Sequence, residues 1–175
     1  MPALDAAIAN AAAHTVLDVV AYALAALAYG VACGVNVYAL AQLDDLQADF
    51  INPHDASRKI NALVRAEIAA HVLGSALMLA SGHYVVFALN APLMAWHYRA
   101  HDAGALVVDA TEIFARADAE RRVRTKKLAF LACVEIVAAY RVTHSAVHAL
   151  LTQAGREAAA KILRDAAHSP MYHMF

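Results

Sequence analysis

Thr15–Leu40 is a run of 26 residues in which Asp18 is the only charged side chain, and no other feature constrains the fold as strongly. A helix needs about 20 apolar residues to cross about 30 Å of hydrocarbon. Only a helix or a closed barrel can satisfy its backbone polar groups there. The run therefore predicts a transmembrane helix. The rest of the chain agrees, since 62% of its 175 residues are hydrophobic and 17% charged, far from the balance of an ordinary soluble domain. A secretory signal would begin with basic residues. Residues 1–22 contain Asp5 and Asp18 but no Lys or Arg, so the first apolar segment is expected to be retained as a span.

Within this span Ala26, Gly30 and Gly34 recur every four residues, lining one face with small side chains. The pattern fits a face on which another backbone can come close, and it also fits the sheer abundance of Ala. Gln42–Lys59 then turns polar, with Asp44, Asp45, Asp49 and Asp55 and the helix breaker Asn52-Pro53. Asp45 and Asp49 are spaced to share a helix face, as a solvated helix end would have them.

Ala66–His97 is an apolar run of 32 residues, long for one span and short for two. Ser81-Gly82-His83 interrupts it near the middle, which suits a tight turn. The prediction is a hairpin of two short helices of about 15 residues, each roughly 22 Å long. Asn90 and Pro92 break the second of these, predicting a kink packed against neighbouring helices. Arg99–Lys127 is polar and carries seven basic residues, and Leu128–Leu151 is the last span. Beyond it, Thr152–Phe175 reads as a polar tail with a short helix through Arg156, Lys161 and Arg164. The expected organisation is an all-α polytopic membrane domain over residues 1–152, with four transmembrane helices, and a tail over 153–175.

Of the fourteen Lys and Arg, none precedes Arg58 and ten fall between Arg58 and Lys127. Basic residues near span ends stay cytosolic. With four spans, residues 44–65 and 99–127 then face the cytosol, and both termini face the lumen or exterior. Nothing in this distribution supports nucleic-acid binding.

No nucleophile and base come together in the sequence, so an enzyme has no support, and no cofactor is implied. Cys33 and Cys133 lie in apolar stretches and read as unbonded packing residues. Glu135, Arg141, His144 and His148 all fall in the last apolar stretch, and such residues usually face protein and are paired. His144 and His148 have the i, i+4 spacing of a helical metal pair but lack further ligands, so no metal site is assigned. Glu135 and Arg141 are six residues apart, about 240° around the helix. Glu135 should therefore find its partner on another span or another chain, with Asn36 and Asn90 as internal candidates.

The strings Asp45–Pro53, Leu89–His97, Asp109–Phe114, Lys127–Phe130 and Tyr140-Arg141 together resemble the cornichon family of endoplasmic-reticulum export receptors. Asp45-Leu46-Gln47-Ala48-Asp49-Phe50-Ile51-Asn52-Pro53 is similar to the family's acidic stretch ending in Tyr-Ile-Asn-Pro. Leu89-Asn90-Ala91-Pro92-Leu93-Met94-Ala95-Trp96-His97 resembles its Leu-Asn-Leu-Pro-Leu-Leu-Ala-Tyr-His. Asp109-Ala110-Thr111-Glu112-Ile113-Phe114 resembles its Asp-(Ala/Pro)-Thr-Glu-Ile-Phe. Lys127-Leu128-Ala129-Phe130 and Tyr140-Arg141 fall at the family's spacing in the last span. The resemblance covers residues 44–142. The first span matches only in character, and the chain after Leu151 matches nothing in the family.

The resemblance implies four transmembrane helices with lumenal termini, residence in the endoplasmic reticulum and early secretory pathway, and three kinds of partner: membrane lipids, transmembrane clients and the COPII coat. The family's coat-contacting Ile-Phe-Arg-Thr-Leu falls on Ile113, Phe114, Ala115, Arg116 and Ala117, which keep only the Ile and Phe. Exposed apolar residues in a charged cytosolic loop suit a partner surface and equally an amphipathic membrane anchor. The cargo-contacting part falls on Met78, Leu79, Ala80, Ser81 and Gly82, which also suit the hairpin turn. Glu135 takes the place of an apolar family residue. Together with Ala115, Ala117 and the tail, it fits an alternative: a permanent auxiliary subunit of a larger membrane complex.

Overall fold

The computed structural model describes residues 2–167. They form five α-helices: α1 (Pro2–Gln47), α2 (Pro53–Ala80), α3 (Tyr84–Asp102), α4 (Ile113–Leu151) and α5 (Gln153–Ala167). Three stretches are long and apolar enough to cross a membrane, namely Ala13–Gln47, Pro53–Ala80 and Ile113–Leu151. The all-α reading holds, and the helix expected in the tail is α5.

The helix boundaries follow from local chemistry. Asn52 caps α2 by accepting the Asp55 amide at 2.8 Å, and Pro53 at the first helical position has no N–H to leave unpaired. The α2 C-terminus closes as a Schellman-type turn, with His83 N donating to Met78 O at 2.8 Å and Gly82 N to Leu79 O at 3.1 Å. Gly82 takes φ +78°, the left-handed conformation that a glycine adopts without strain. The turn lies where the sequence placed it, but the helix lengths differ. α2 has 28 residues and α3 has 19, not about 15, because the capped start at Pro53 carries the helix through the polar residues ahead of Ala66. Asp45 and Asp49 do not share a helix face, since α1 ends at Gln47 and Asp49 lies beyond it at φ 57°. Pro92 sits within α3 on its exposed side, and it is Asn90 that turns inward.

The chain divides into two compact units, residues Leu24–Val137 and the two ends, up to Ala23 and from Ala138 onward. In the first, α1 presents Ala25, Tyr29, Ala32, Asn36, Ala39 and Leu43 as one buried stripe at helical spacing. Ala32, Leu93 and Leu131 join α1, α3 and α4 in one cluster. Ala39, Leu43 and Ile60 form a second, and Leu46, Ala56 and Ile113 a third, with Val108 packed against both. α1 and α2 pack tightly at Gly74, where an added Cβ would lie 2.7 Å from Tyr29 Cε1. Gly30 and Gly34, by contrast, have open space around them. In the second unit, the Arg141 guanidinium lies 5.2 Å over the buried Tyr22 ring, and the Tyr140 and His144 rings are 6.0 Å apart.

The connector before α4 is pinned to α2. Asn61 Nδ2 donates to Val108 O at 2.9 Å, and Val108 N donates to Asn61 Oδ1 at 2.8 Å. One residue on, Asp109 Oδ1 accepts the amide and the hydroxyl of Thr111, each at 2.8 Å. These bonds, the amide first, hold the exposed Asp109 carboxyl below the ordinary carboxylate range.

Around its apolar clusters the bundle also exposes large apolar side chains and buries several polar ones, unlike a water-soluble bundle. Leu27, Val31, Leu73, Val85, Leu89, Ile136 and Leu150 point outward, whereas Asn36, Glu67, His71, Ser75, Asn90 and His97 are buried. Lipid around the helices favours this arrangement, since charged and polar side chains at membrane depth must find partners in protein.

Candidate functional site: a buried ionic cluster and its cleft

Glu67 of α2 is 1% exposed and has basic side chains on several sides. Lys127 Nζ donates to its Oε1, His97 Nε2 lies 3.6 Å from the same oxygen, and Arg124 Nη1 lies 3.7 Å from Oε2. Arg124 Nε is also 2.7 Å from Glu120 Oε1, one turn back on α4. Lys127 Nζ sits 4.9 Å over the Trp96 ring, a cation–π contact that desolvation strengthens. The Asn36 amide of α1 also faces the Glu67 carboxylate, while donating to Ala32 O at 2.9 Å.

One turn further along α2, a second layer is uncharged in its hydrogen bonding. His71 Nε2 meets Asn90 Oδ1 at 2.9 Å. Asn90 Nδ2 donates to Val86 O at 2.8 Å and to the Tyr29 hydroxyl at 3.2 Å. Ser75 Oγ returns a bond to His71 O at 2.8 Å, and the His71 and His97 rings meet edge to face at 5.4 Å. The two layers draw on all four helices of this unit, α2 supplying Glu67, His71 and Ser75 at successive i+4 steps. Removing one member of such a cluster strands a buried charge or amide.

The ionic layer opens into a cleft of about 230 Å³ between α2, α3, the connector and α4. Val64, Ile68, Trp96, Leu106 and Val123 form its apolar walls, and His97, Arg124 and Lys127 its polar base. A second, apolar groove of about 140 Å³ lies beside Asn90, between α3 and α4, lined by Val86, Leu89, Phe130 and Cys133.

The positions expected from sequence are distributed unevenly. Ile113–Ala117 begin α4; they are not loop residues. Ile113 and Ala117 are buried, Ile113 against Leu46 and Ala56, which corrects the expectation that Ile113 is exposed. Phe114, 57% exposed, points outward with Ala115 and Arg116, and Arg116 Nη2 pairs with Glu112 Oε2 at 2.8 Å. Met78 is buried, and Leu79, Ala80, Ser81 and Gly82 are exposed around the turn. Asn36 and Asn90 are buried but committed elsewhere, so neither is the expected partner of Glu135. Glu135 is half-buried near Cys33, and its Oε2 is without a hydrogen-bond partner among the described residues. Cys33 and Cys133 are free thiols.

Sequence reasoning passed over Glu67, His71, His97, Arg124 and Lys127. A signal was present: Glu67, His71 and Ser75 fall at i, i+4 and i+8 in a stretch read only for its apolar average. The basic string 121–127 held a second one. Its i, i+3 members turn inward, with Arg121 pairing with Asp44 and donating to Gln47 Oε1 at 2.8 Å, while Arg122 and Lys126 stay exposed.

Residues 19–140 match the family model described as Cornichon protein. Among curated proteins, the chain is 36% identical over 114 residues to Protein cornichon homolog 2 of Oryza sativa subsp. japonica, covering 65% of this chain and 76% of that protein. It is 38% identical over 92 residues to Protein cornichon homolog 1 of the same organism, covering 53% and 68%. To ER-derived vesicles protein erv14 of Schizosaccharomyces pombe it is 32% identical over 96 residues, covering 55% and 70%. No solved structure matches the chain significantly. The matched span contains every member of the buried cluster.

Proposed function

Because this chain belongs to the cornichon family, we propose that it is a cargo receptor that binds transmembrane clients and promotes their COPII-dependent export from the endoplasmic reticulum. Its likeness to an ER-derived vesicles protein supports this role and the matching location in the early secretory membranes. The observation that carries client binding is the apolar exterior of the bundle. Its outward apolar faces, the open Gly30 and Gly34, and the groove beside Asn90 are available for packing against a client helix. The role is non-enzymatic.

In this reading α3 is a fourth, short span. At 19 residues it is about 28 Å long at 1.5 Å per residue, close to the thickness of the hydrocarbon. The turn at Ser81–His83 and both termini are lumenal, residues 44–65 and 99–127 are cytosolic, and residues 153–175 form a tail separate from the membrane domain. Phe114, Ala115 and Arg116 offer the coat an exposed surface that Ile113 and Ala117 support from beneath. Leu79 to Gly82, above the buried Met78, contribute to client contact at the lumenal end.

One observation favours a second reading, that of a permanent subunit of a larger membrane complex: the Glu135 carboxylate oxygen without a partner, which a basic or polar residue of another chain would satisfy. Reconstituted budding separates the two. A receptor is packaged into vesicles with its client in the presence of purified coat, and Phe114→Ala reduces that packaging. A chain that stays in the donor membrane as a stable stoichiometric complex, unaffected by Phe114→Ala, is a subunit.

A further inference from the structure

The cleft over the ionic cluster has the composition of a ligand site, not of a packing defect. Three cations, Arg116, Arg124 and Lys127, line it with two carboxylates, Glu67 and Glu120. Glu112, which pairs with Arg116, lines the neighbouring cleft instead. Arg124 and His97 are at least nine-tenths buried. Yet Arg124 Nη1 and both ring nitrogens of His97 make no hydrogen bond, and buried polar groups are seldom left in that state. Their nearest acceptors, the Glu67 oxygens, lie 3.6 Å from His97 Nε2 and 3.7 Å from Arg124 Nη1, beyond hydrogen-bond reach. An acceptor-rich anion in the cleft would give these groups a partner.

The walls narrow its chemistry. Val64, Ile68, Trp96, Leu106 and Val123 flank the cations, so the ligand is apolar on one side and anionic on the other. The cleft also lies at the junction where the basic string 121–127 meets the apolar stretch that starts at Leu128, the level at which a headgroup lies. A phosphodiester combines acceptor oxygens with an apolar body, and guanidinium groups bind phosphate oxygens through charge-assisted bonds. We propose that this cleft binds a phosphate anion, received by Arg124 and Lys127 with Arg116 at the rim, and supplied either by an anionic phospholipid headgroup or by soluble phosphate.

Trp96 is the single tryptophan and lines the cleft, so its fluorescence reports occupancy. The full chain is reconstituted in phosphatidylcholine bilayers, with brominated phosphatidylserine or brominated phosphatidylcholine at equal fraction, and separately in phosphatidylcholine titrated with inorganic phosphate. A headgroup ligand gives stronger quenching by brominated phosphatidylserine. Arg116→Gln, at an exposed rim position, weakens this about tenfold, the effect of one charge-assisted hydrogen bond. Ala119→Glu, also exposed, abolishes it, whereas Ala119→Gln preserves it. A Trp96 response to phosphate with no preference for phosphatidylserine assigns the site to soluble phosphate. Equal quenching by both lipids with no phosphate response overturns the proposal, as does a preference for phosphatidylserine that survives both Arg116→Gln and Ala119→Glu.

Discussion

Lys127 of α4 donates its ammonium proton to the carboxylate of Glu67 on α2, and the two side chains are 8% and 1% exposed. A charge buried in that way is retained only with its counter-charge, because removing one partner costs far more than removing both.

A double-mutant cycle should show this asymmetry. Glu67→Gln strands Lys127 and Arg124, and Lys127→Met leaves Glu67 with the more distant Arg124. Each single change is expected to destabilise the chain by about 3–5 kcal/mol. The double change should recover most of that loss, read as thermal unfolding of purified protein in one detergent. Additive losses would show that the pair is not coupled.

The glycines should separate into two classes. Gly74→Ala places a methyl group 2.7 Å from the ring of Tyr29. That ring is buried and its hydroxyl is engaged by Asn90, so it cannot swing aside. Overpacking of this kind costs about 1–3 kcal/mol. Gly30→Ala and Gly34→Ala meet open space and should be neutral or slightly stabilising, since Ala is the better helix former. Gly30→Leu should leave thermal stability intact and reduce client export. Unchanged export would remove this face from the client surface.

The connector before α4 should respond to both Asn61 and pH. Asn61→Ala removes two hydrogen bonds to Val108, a loss of about 1–3 kcal/mol, and amide exchange over residues 103–112 should accelerate. Asp109 has a folded-state pKa below its ordinary value. Its contribution is therefore present above the ordinary carboxylate value and fades as pH falls through the folded one. Protection of the Thr111 amide should fall over that acidic window, and Asp109→Asn should flatten the dependence. Identical profiles for the two proteins would rule out the Asp109 contact as its source.

A glycosylation or protease map tests the topology. A site engineered at Ser81–His83 should be modified in the lumen, and one beside Arg121 should not. Modification of both, or of the Arg121 site alone, would refute the four-span arrangement.

What could be read from the sequence was local. Thr15–Leu40 announced a membrane helix by length alone, and Ser81-Gly82-His83 announced a turn that Gly82 completes with its positive φ. The strings that carry the family resemblance also lie within single segments. The buried cluster was missed because Glu67 and His71 vanish into an apolar average, and because their partners lie on helices far along the chain. Charge counting likewise assigned Arg124 and Lys127 to solvent, when helical period decides which basic residues turn inward. Ile113 was expected to be exposed because its neighbours are polar. The start of α4, set by the pinned connector, carries it instead into the cluster with Leu46 and Ala56.

Glu67 and Lys127 are 60 residues apart in the chain, and this separation is also an interval of time. At about 5–20 residues per second of synthesis, α2 is made roughly 3 to 12 s before the cations of α4 exist. For that interval the carboxylate has no partner from its own chain at that depth except Asn36 and His97. Until then it is best accommodated where water or the insertion machinery can reach it. The completion of α4 is then the event that lets α2 settle in the membrane, so the last span to be made determines when the second is finished.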